Sequence, residues 1–239
     1  MSVTLFMGGY GSGKSELALD LCLRRAAGEN TAFFPPASAQ KRVILLDMDV
    51  INPAFRSHEK REMLTQRGVE VYAPSLAGST LDIPALPAAL GALIASDADV
   101  VIDVGGDPDG AGVLGRYHDD LAGVEKTVWF VLNPYRLRQE NSEKAWALMA
   151  AICDRARLAP TALIANPNLG RDTTPELIAQ GMAVIRETAQ LLGLPIAALA
   201  VEAHRVPHLE QSLCREFEGR LWPLESRMRP TWLDATQES

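Results

Sequence analysis

The chain has 239 residues, which is enough for one large domain or for a domain with an appendage. Its hydrophobic fraction of 47% and charged fraction of 22% are those of a globular protein and exclude a disordered chain or a coiled coil. The net charge of -7 argues against a protein whose main partner is nucleic acid, and no apolar run approaches the roughly 18 residues that a membrane span needs.

The cysteine spacing predicts reduced, buried thiols. Cys22, Cys153 and Cys214 lie far apart and form neither a CxxC pair nor a His/Cys cluster. Free cysteines of this kind are usually core residues. Because the first residues also lack a basic segment that leads into a signal-peptide core, we expect a cytoplasmic protein.

Short apolar runs alternate with longer helical patterns along the chain. Most of the runs are nearly continuous Val, Ile and Leu, which is typical of parallel strands buried on both faces of a sheet. The predicted strands, in chain order, are residues 3–7, 42–48, 69–73, 99–104, 127–132, 161–165 and 196–201.

Amphipathic patterns separate the strands and predict helices at residues 15–27, 83–95, 138–157 and 175–192. Thr174 is the expected N-cap of the last of these helices, which has a proline at its first position. Strands that are separated by helices form βαβ crossovers. The sequence therefore predicts an α/β fold, a mostly parallel sheet of about seven strands with helices on both faces.

Two stretches break this alternation. Residues 28–41 form a longer loop than a helix-to-strand connection usually needs, and residues 206–239 form a polar tail with three prolines. We expect a helix around residues 208–217 and packing of the tail through its large side chains, Leu221, Trp222, Leu224 and Trp232. The predicted division is a main domain at residues 1–205 and a C-terminal helical extension at residues 206–239.

The first strand runs into a glycine-rich stretch, GGYGSGKS, at residues 8–15. It matches G-x-x-x-x-G-K-[ST], the phosphate-binding loop or P-loop, whose glycines let successive backbone N–H groups turn toward an anion. Lys14 is expected to reach the β- and γ-phosphates, and the Ser15 hydroxyl to bind Mg2+. The predicted phosphate-binding residues are Gly8, Gly9, Gly11, Ser12, Gly13, Lys14, Ser15 and Glu16.

Carboxylates at two strand ends complete the predicted site. Asp103 ends the run DVVID and fits a Walker-B aspartate, with Gly106 three residues later able to donate its N–H to a γ-phosphate. The second strand ends in Asp47-Met48-Asp49, whose two carboxylates point to the same side of an extended chain and can orient an attacking water. The predicted catalytic residues are Lys14, Asp47, Asp49 and Asp103, and the predicted magnesium ligands are Ser15, Asp49 and Asp103.

With these motifs the chain resembles the Mrp/MinD/ParA-like, CobQ/CbiA-type nucleotide-binding proteins, which belong to the SIMIBI class of P-loop NTPases. The resemblance rests on GGYGSGKS, LLDMD, VIDVGGD, VLNP, LIAN and AVE, and it covers residues 3–202. It implies a three-layer P-loop NTPase fold, ATP and Mg2+ as cofactors, a D-x-D switch I and a D-x-x-G switch II. It also implies that an asparagine after a late strand contacts the base, with Asn166 the better candidate, Asn133 the second, and Glu202 near the base.

The chain departs from this family at three points. When the sequences are aligned on Gly13, the signature lysine of MinD-like and ParA-like members falls at Gly9, so a lysine-bridged nucleotide dimer is not expected. The cysteine pair that carries an iron–sulfur cluster in Mrp-like members is missing. There is also no N-K-x-D motif for guanine, which favours adenine.

These features predict a Mg-ATP hydrolase that acts as a nucleotide switch for a protein partner, such as a redox enzyme or metalloenzyme that needs activation, maturation or electron delivery. One alternative is an ATP-dependent ligase for a small carboxylic acid, with a pocket at Phe55, Arg56 and residues 74–82. Another is a nucleotide-binding module without significant turnover. The sequence decides neither for nor against a homodimer.

Overall fold

The computed structural model describes residues 2–29, 41–49, 58–72, 91–93, 96–225 and 227. These residues form an eight-stranded sheet in which every neighbouring pair of strands is parallel. The strands are β1 Ser2–Gly8, β2 Val43–Asp47, β3 Val69–Tyr72, β4 Asp99–Asp103, β5 Lys126–Leu132, β6 Ala162–Ala165, β7 Ile196–Glu202 and β8 Leu221–Leu224. Their order across the sheet is β3-β2-β4-β1-β5-β6-β7-β8. The predicted α/β class is confirmed, with eight strands rather than about seven.

Seven α-helices lie in the described part of the chain. They are α1 Lys14–Ala26, α2 His58–Gln66, α3 Pro108–Gly115, α4 His118–Ala122, α5 Ser142–Ala156, α6 Pro175–Leu192 and α7 Gln211–Glu216, with short three-ten helices at Gly170–Asp172 and Ala203–His208. Residues 91–93 are also helical. No helix of the described residues combines the length and the apolar character that a membrane crossing requires.

The sheet separates two layers of apolar packing because alternate strand residues point to opposite faces. On β1, Phe6 packs with residues of α1, whereas Leu5 and Met7 pack with residues of α3 and α5. The helices α6 and α7 bury their apolar residues on the second of these faces, at the end of the sheet formed by β6 and β7. Helices therefore cover both faces, as the buried strands require.

Local signals account for the ends of two long helices. Helix α6 begins where the sequence predicts, because the Thr174 side chain accepts a hydrogen bond from the backbone N–H of Leu177. Helix α5 begins at Ser142, four residues later than predicted, because the Asn141 side chain caps it at Lys144 N. The preceding residues, 133–141, form a turn that matters for the site described below.

The helices α2, α3 and α4 were not predicted. Helix α3 lies in the sequence GGDPDGAG, whose glycines and proline favour a turn. The Asp107 side chain instead accepts hydrogen bonds from the N–H groups of Asp109 and Gly110, and Pro108 occupies the first helical position. A capping signal therefore prevails over poor helix-forming composition at this position.

The C-terminal tail differs from the predicted helical extension. Its residues Leu221–Leu224 form β8, which pairs with β7 at the edge of the main sheet, and only α7 lies within the predicted helix at residues 208–217. Trp222 is 1% exposed and packs edge-on against Phe6 and Trp129, at centroid distances of 6.1 and 5.9 Å. Packing through Leu221, Trp222 and Leu224 is thus present, whereas the division of the chain at residue 205 stays a prediction.

Several predicted features lie outside the described residues. These are Trp232, Phe55, Arg56, residues 74–82, most of the loop at residues 28–41 and most of the helix predicted at residues 83–95.

Candidate functional site

The P-loop, residues 8–15, connects β1 to α1 at the carboxyl edge of the sheet. Gly11 and Gly13 have φ angles of 71° and 96°, a left-handed conformation that side chains other than glycine rarely adopt. The N–H of Ser12 donates to the carbonyl of Gly9 over 3.1 Å, which closes the loop into a compact turn. The residues predicted to bind phosphate therefore form one continuous loop that ends at the first turn of a helix.

Lys14 lies inside this loop rather than in solvent, since it is only 5% exposed. A Cβ atom placed on Gly106 would lie 3.0 Å from the Lys14 Nζ and 3.0 Å from the backbone N of Tyr10. The Gly106 backbone therefore lies directly against the P-loop and the lysine. No larger residue fits at position 106 without displacing one of them.

The sheet order brings the predicted carboxylates to the P-loop. The strand β4, which ends at Asp103, lies between β1 and β2, with Asp103 in register with Phe6 on one side and with Asp47 on the other. The Met48 N–H donates to the Asp103 carbonyl over 2.8 Å, and the Val104 N–H donates to the Phe6 carbonyl over 3.0 Å. Parallel strands end at one edge, so these backbone bonds hold both aspartates beside the loop.

The Asp103 carboxylate is completely buried, and neither of its oxygens has a hydrogen bond of normal geometry to a described residue, although the Ser15 hydroxyl and the Lys14 ammonium lie near it. The pKa of this carboxyl is raised from 3.8 to about 6, mainly by burial and to a smaller extent by the nearby Asp49 carboxylate. The Lys14 ammonium and the Ser15 hydroxyl lower the pKa, but by less than burial raises it. A divalent cation bound next to Asp103 would supply a positive charge that compensates this buried carboxylate.

Asp47 and Asp49 lie at the same edge, and both are buried. The Asp49 backbone N–H donates to the Asp47 side chain over 3.0 Å, which folds the segment after β2 back onto the strand end. Among the described residues there is no group of three or more His, Cys, Asp or Glu side chains that could hold a metal alone. Two carboxylates and the Ser15 hydroxyl fit Mg2+ that is also bound by phosphates and water, which is how proteins commonly hold this ion.

Buried polar side-chain atoms without a hydrogen bond are concentrated around the P-loop. The described residues contain seven such atoms, of which two belong to Arg25. The other five are Ser12 Oγ, both Asp103 oxygens, Gln139 Nε2 and Asn166 Oδ1. Because unpaired buried polar groups are costly, this concentration indicates a place that is completed by a polar ligand.

The two predicted base-contacting asparagines have different surroundings. The Asn166 Nδ2 donates to the Ser12 carbonyl over 2.7 Å, so this side chain touches the P-loop. The Asn133 Nδ2 instead donates to the Asn168 carbonyl, and its Oδ1 accepts from the Tyr135 N–H. Asn133 therefore ties two loops together, and only Asn166 leaves an acceptor unpaired.

Two further predicted contacts have other partners. The Glu202 carboxylate accepts from Arg205 over 2.7 Å, and Arg205 also donates to the carbonyls of Gly170, Arg171 and Thr173. The Glu16 side chain accepts from the backbone N–H of Arg227, in the tail. These carboxylates contact the protein's own loops and tail, and the predicted nucleotide contacts of Glu16 and Glu202 stay predictions.

Gly9 occupies the position at which MinD-like proteins carry their signature lysine. A Cβ atom on Gly9 would lie 2.6 Å from Gln139 Nε2 and 2.8 Å from Leu148 Cδ2. A side chain at this position would have to displace the ends of two side chains, Gln139 before α5 and Leu148 within α5. Gly9 is therefore closed off by neighbouring residues as well as lacking the lysine.

The sequence analysis missed Arg136 and Gln139, which both contact the P-loop. The Arg136 Nε donates to the Gly11 carbonyl over 3.1 Å, between residues 125 positions apart, and Gln139 is completely buried next to Gly9. Neither residue belongs to a motif, so only the tertiary structure reveals these contacts.

Comparison with known proteins identifies the fold and no closer relationship. No family model and no curated protein matches the chain. Chloroplast FtsY from Physcomitrella patens is similar in structure, with a TM-score of 0.52, 14% identity, and coverage of 83% of this chain and 57% of that one. The cell division protein FtsY from Thermotoga maritima has a TM-score of 0.50, 18% identity, and coverage of 83% and 61%.

FtsY from Mycoplasma mycoides gives a similar result, with a TM-score of 0.50, 14% identity, and coverage of 84% of this chain and 60% of that one. The chain thus spans less than two thirds of the length of each of these proteins. At these identities the similarity concerns the fold alone. The protein shares with these structures an α/β fold, a parallel sheet with helices on both faces.

Proposed function

We propose that this protein binds a Mg-nucleoside triphosphate at the P-loop, hydrolyses it, and acts as a nucleotide switch. The observation that carries the proposal is the concentration of unpaired buried polar atoms around residues 8–15. Donors and acceptors are both present there, as a ligand with phosphate oxygens, bound magnesium and a base would require. Lys14 and the loop amides are suited to bind the phosphates, and Ser15 with Asp103 to bind magnesium.

The switch is assigned to the segments that follow β2 and β4. Gly106 lies against Lys14, so its N–H is close to the place where a γ-phosphate would lie. Asp49 is held at the same edge through Asp47, where it can orient the attacking water. Loss of the γ-phosphate would remove the contact that orders both segments, and a protein partner would respond to that change.

We propose ATP as the nucleotide. The Asn166 amide is oriented by its donation to the Ser12 carbonyl, which leaves Oδ1 as an unpaired acceptor. An acceptor next to the base can receive a hydrogen bond from the amino group of adenine. The absence of an N-K-x-D motif agrees with this choice.

We place the protein in the cytoplasm because its three cysteines are all free.

Calorimetry with Mg-ATP and Mg-GTP, followed by phosphate release with each nucleotide, tests the proposal. We expect Lys14→Ala to weaken ATP binding at least about 100-fold, because it removes a charged donor from the phosphates. Its melting temperature should stay close to that of the wild type. Lys144, which lies on the surface of α5 and pairs with Glu140, gives the matched control Lys144→Ala. Equal ATP affinity in Lys14→Ala and the wild type would contradict the proposed site.

Phosphate release also separates the switch from the other activities that this fold can support. Turnover that rises with a co-purifying protein supports the switch, whereas turnover that requires a small carboxylic acid would show a ligase. Tight Mg-ATP binding without phosphate release under either condition would show a binding module and contradict the hydrolase.

A further inference from the structure

We infer that Arg136 is a positioning residue that holds the P-loop in its anion-binding conformation. The inference rests on the proposed function, because it concerns how the same site is made ready for phosphate. It assigns a role to the turn at residues 133–139, of which only Asn133 and Pro134 belong to a sequence motif. The evidence consists of contacts between this turn and the outer side of the P-loop.

Residues outside the P-loop contact it at three places. Gln139 and Leu148 fill the space next to Gly9, the Arg136 Nε donates to the Gly11 carbonyl, and the Asn166 Nδ2 donates to the Ser12 carbonyl. The aliphatic part of Arg136 also packs on Gly11, because a Cβ atom there would lie 3.3 Å from Arg136 Cδ. The Gly11 carbonyl and the Ser12 N–H belong to one peptide group, and that N–H donates to the Gly9 carbonyl over 3.1 Å, so the Arg136 contact and the internal turn bond fix this peptide at both ends.

The Arg136 contact is needed because Gly11 is conformationally free. Its φ angle of 71° is one of several that glycine adopts with nearly equal ease, so the free chain would lose this conformation without an external contact. A guanidinium donor to a carbonyl is among the stronger hydrogen bonds in proteins. Arg136 therefore selects the one conformation of Gly11 in which the loop is ready for phosphate.

The turn that carries Arg136 is itself fixed. Its ends are joined because Gln139 accepts a hydrogen bond from the Asn133 N–H over 3.1 Å, and the Gln139 N–H donates to the Arg136 carbonyl over 3.0 Å. Asn133 also donates to the Asn168 carbonyl, in the loop that follows Asn166. The turn thus links the P-loop to the loop of the proposed base contact, so the base and phosphate subsites share one support.

Hydrogen exchange of the P-loop amides in the ligand-free protein tests the inference. We expect Arg136→Ala to speed exchange at residues 9–14 by about tenfold or more, because one charge-assisted hydrogen bond is lost. Arg136→Lys, which keeps a charged donor, should restore most of the protection. Arg138 is an exposed arginine of the same turn, so Arg138→Ala should leave exchange unchanged and serves as the control.

Binding of Mg-ATP gives the second readout. We expect the Kd of Arg136→Ala to rise about 10- to 100-fold and that of Arg136→Lys to stay within about fivefold of the wild type. Unchanged exchange in Arg136→Ala would overturn the inference, whatever the nucleotide result. Failure of the wild type to bind any Mg-nucleotide would instead contradict the proposed function, so the two failures are distinguishable.

Discussion

Two buried carboxylates, Asp20 and Asp103, lie on neighbouring elements of this protein and have opposite surroundings. Asp20 is 2% exposed and accepts hydrogen bonds from Arg24, Trp222 and Arg227, at 2.5, 2.7 and 2.7 Å. Asp103 is 0% exposed and has no hydrogen bond of normal geometry from a described residue, although the Ser15 hydroxyl and the Lys14 ammonium lie near it. Burial alone therefore does not distinguish these two carboxylates, whereas the number of hydrogen bonds that each accepts does.

The difference has a physical cause. A buried charge is tolerated at low cost only when donors or cations surround it, and Asp20 has both around it where α1 meets β8. Asp103 has only Lys14 and Ser15 near it, and burial still raises its pKa to about 6. The folded protein thus tolerates an unfavourable charge at the P-loop, which a bound metal would remove.

The largest effect on stability is expected at Asp20. We predict that Asp20→Ala lowers the free energy of unfolding by about 2–4 kcal/mol, because three hydrogen bonds are lost and the buried Trp222 N–H loses its acceptor. Chemical denaturation measures this change. The matched control is Asp154→Ala, which removes an exposed acid from α5 and should change stability by no more than about 0.5 kcal/mol. A loss of similar size in the two variants would show that the Asp20 contacts contribute nothing specific.

The opposite sign is expected at Asp103. We predict that Asp103→Asn raises the free energy of unfolding of the ligand-free protein at neutral pH by about 1–3 kcal/mol, because it replaces a poorly solvated charge with a neutral amide. The same variant should lose ATP turnover by at least about 100-fold, since the proposed magnesium ligand is gone. A variant that is less stable than the wild type would show that Asp103 supports the fold instead.

The pH dependence of stability checks the same assignment. The pKa of Asp103 is raised to about 6, above its ordinary value of 3.8, so its contribution favours folding at low pH and is lost as the pH rises through 6. From this group alone, the ligand-free protein should gain about 1 kcal/mol of stability between pH 7 and pH 5. Other carboxyls titrate as well, so the quantity to compare is the difference between the wild type and Asp103→Asn, which should shrink over this range.

Local sequence predicts some elements of this fold well and others poorly. The strand, glycine loop and helix at residues 3–27 follow from local pattern, and Thr174 and Pro175 predict the start of α6 exactly where it lies. By contrast, β8 contains Pro223, which argues against a strand in the middle of a sheet and is tolerated here because β8 is an edge strand. Strand position in the sheet is a tertiary property, so the local sequence could not reveal it.

The candidate site shows the same limit. Residues within a motif, such as Lys14 and Asp103, could be assigned because their chemistry depends on neighbours in sequence or on strand ends. The different environments of Asn133 and Asn166 depend on contacts with residues 35 and 154 positions away. Their motifs, VLNP and LIAN, both place an asparagine after a buried strand, so the sequence pattern alone gave no physical basis for distinguishing the surroundings of the two asparagines.

The smallest effect on stability is expected for two buried hydroxyl groups. Like Asp20 and Asp103, they differ in whether they have hydrogen-bond partners, but neither carries a charge. Ser12 Oγ has no hydrogen-bond partner among the described residues, whereas Thr173 Oγ1 accepts from the Leu169 N–H and donates to the Gly170 carbonyl. We predict that Ser12→Ala changes the stability of the ligand-free protein by no more than about 0.5 kcal/mol and weakens Mg-ATP binding by about three- to tenfold.

Thr173→Ser, which keeps the hydroxyl, and Thr173→Ala, which removes it, complete the test. Only Thr173→Ala should lose about 1 kcal/mol of stability, because the Leu169 N–H loses its acceptor, and its ATP affinity should stay near that of the wild type. Thermal melts with and without Mg-ATP measure both quantities. If Ser12→Ala were as destabilising as Thr173→Ala, an unpaired polar atom would not mark a ligand site in this protein, and the contrast between Asp20 and Asp103 would lose its meaning.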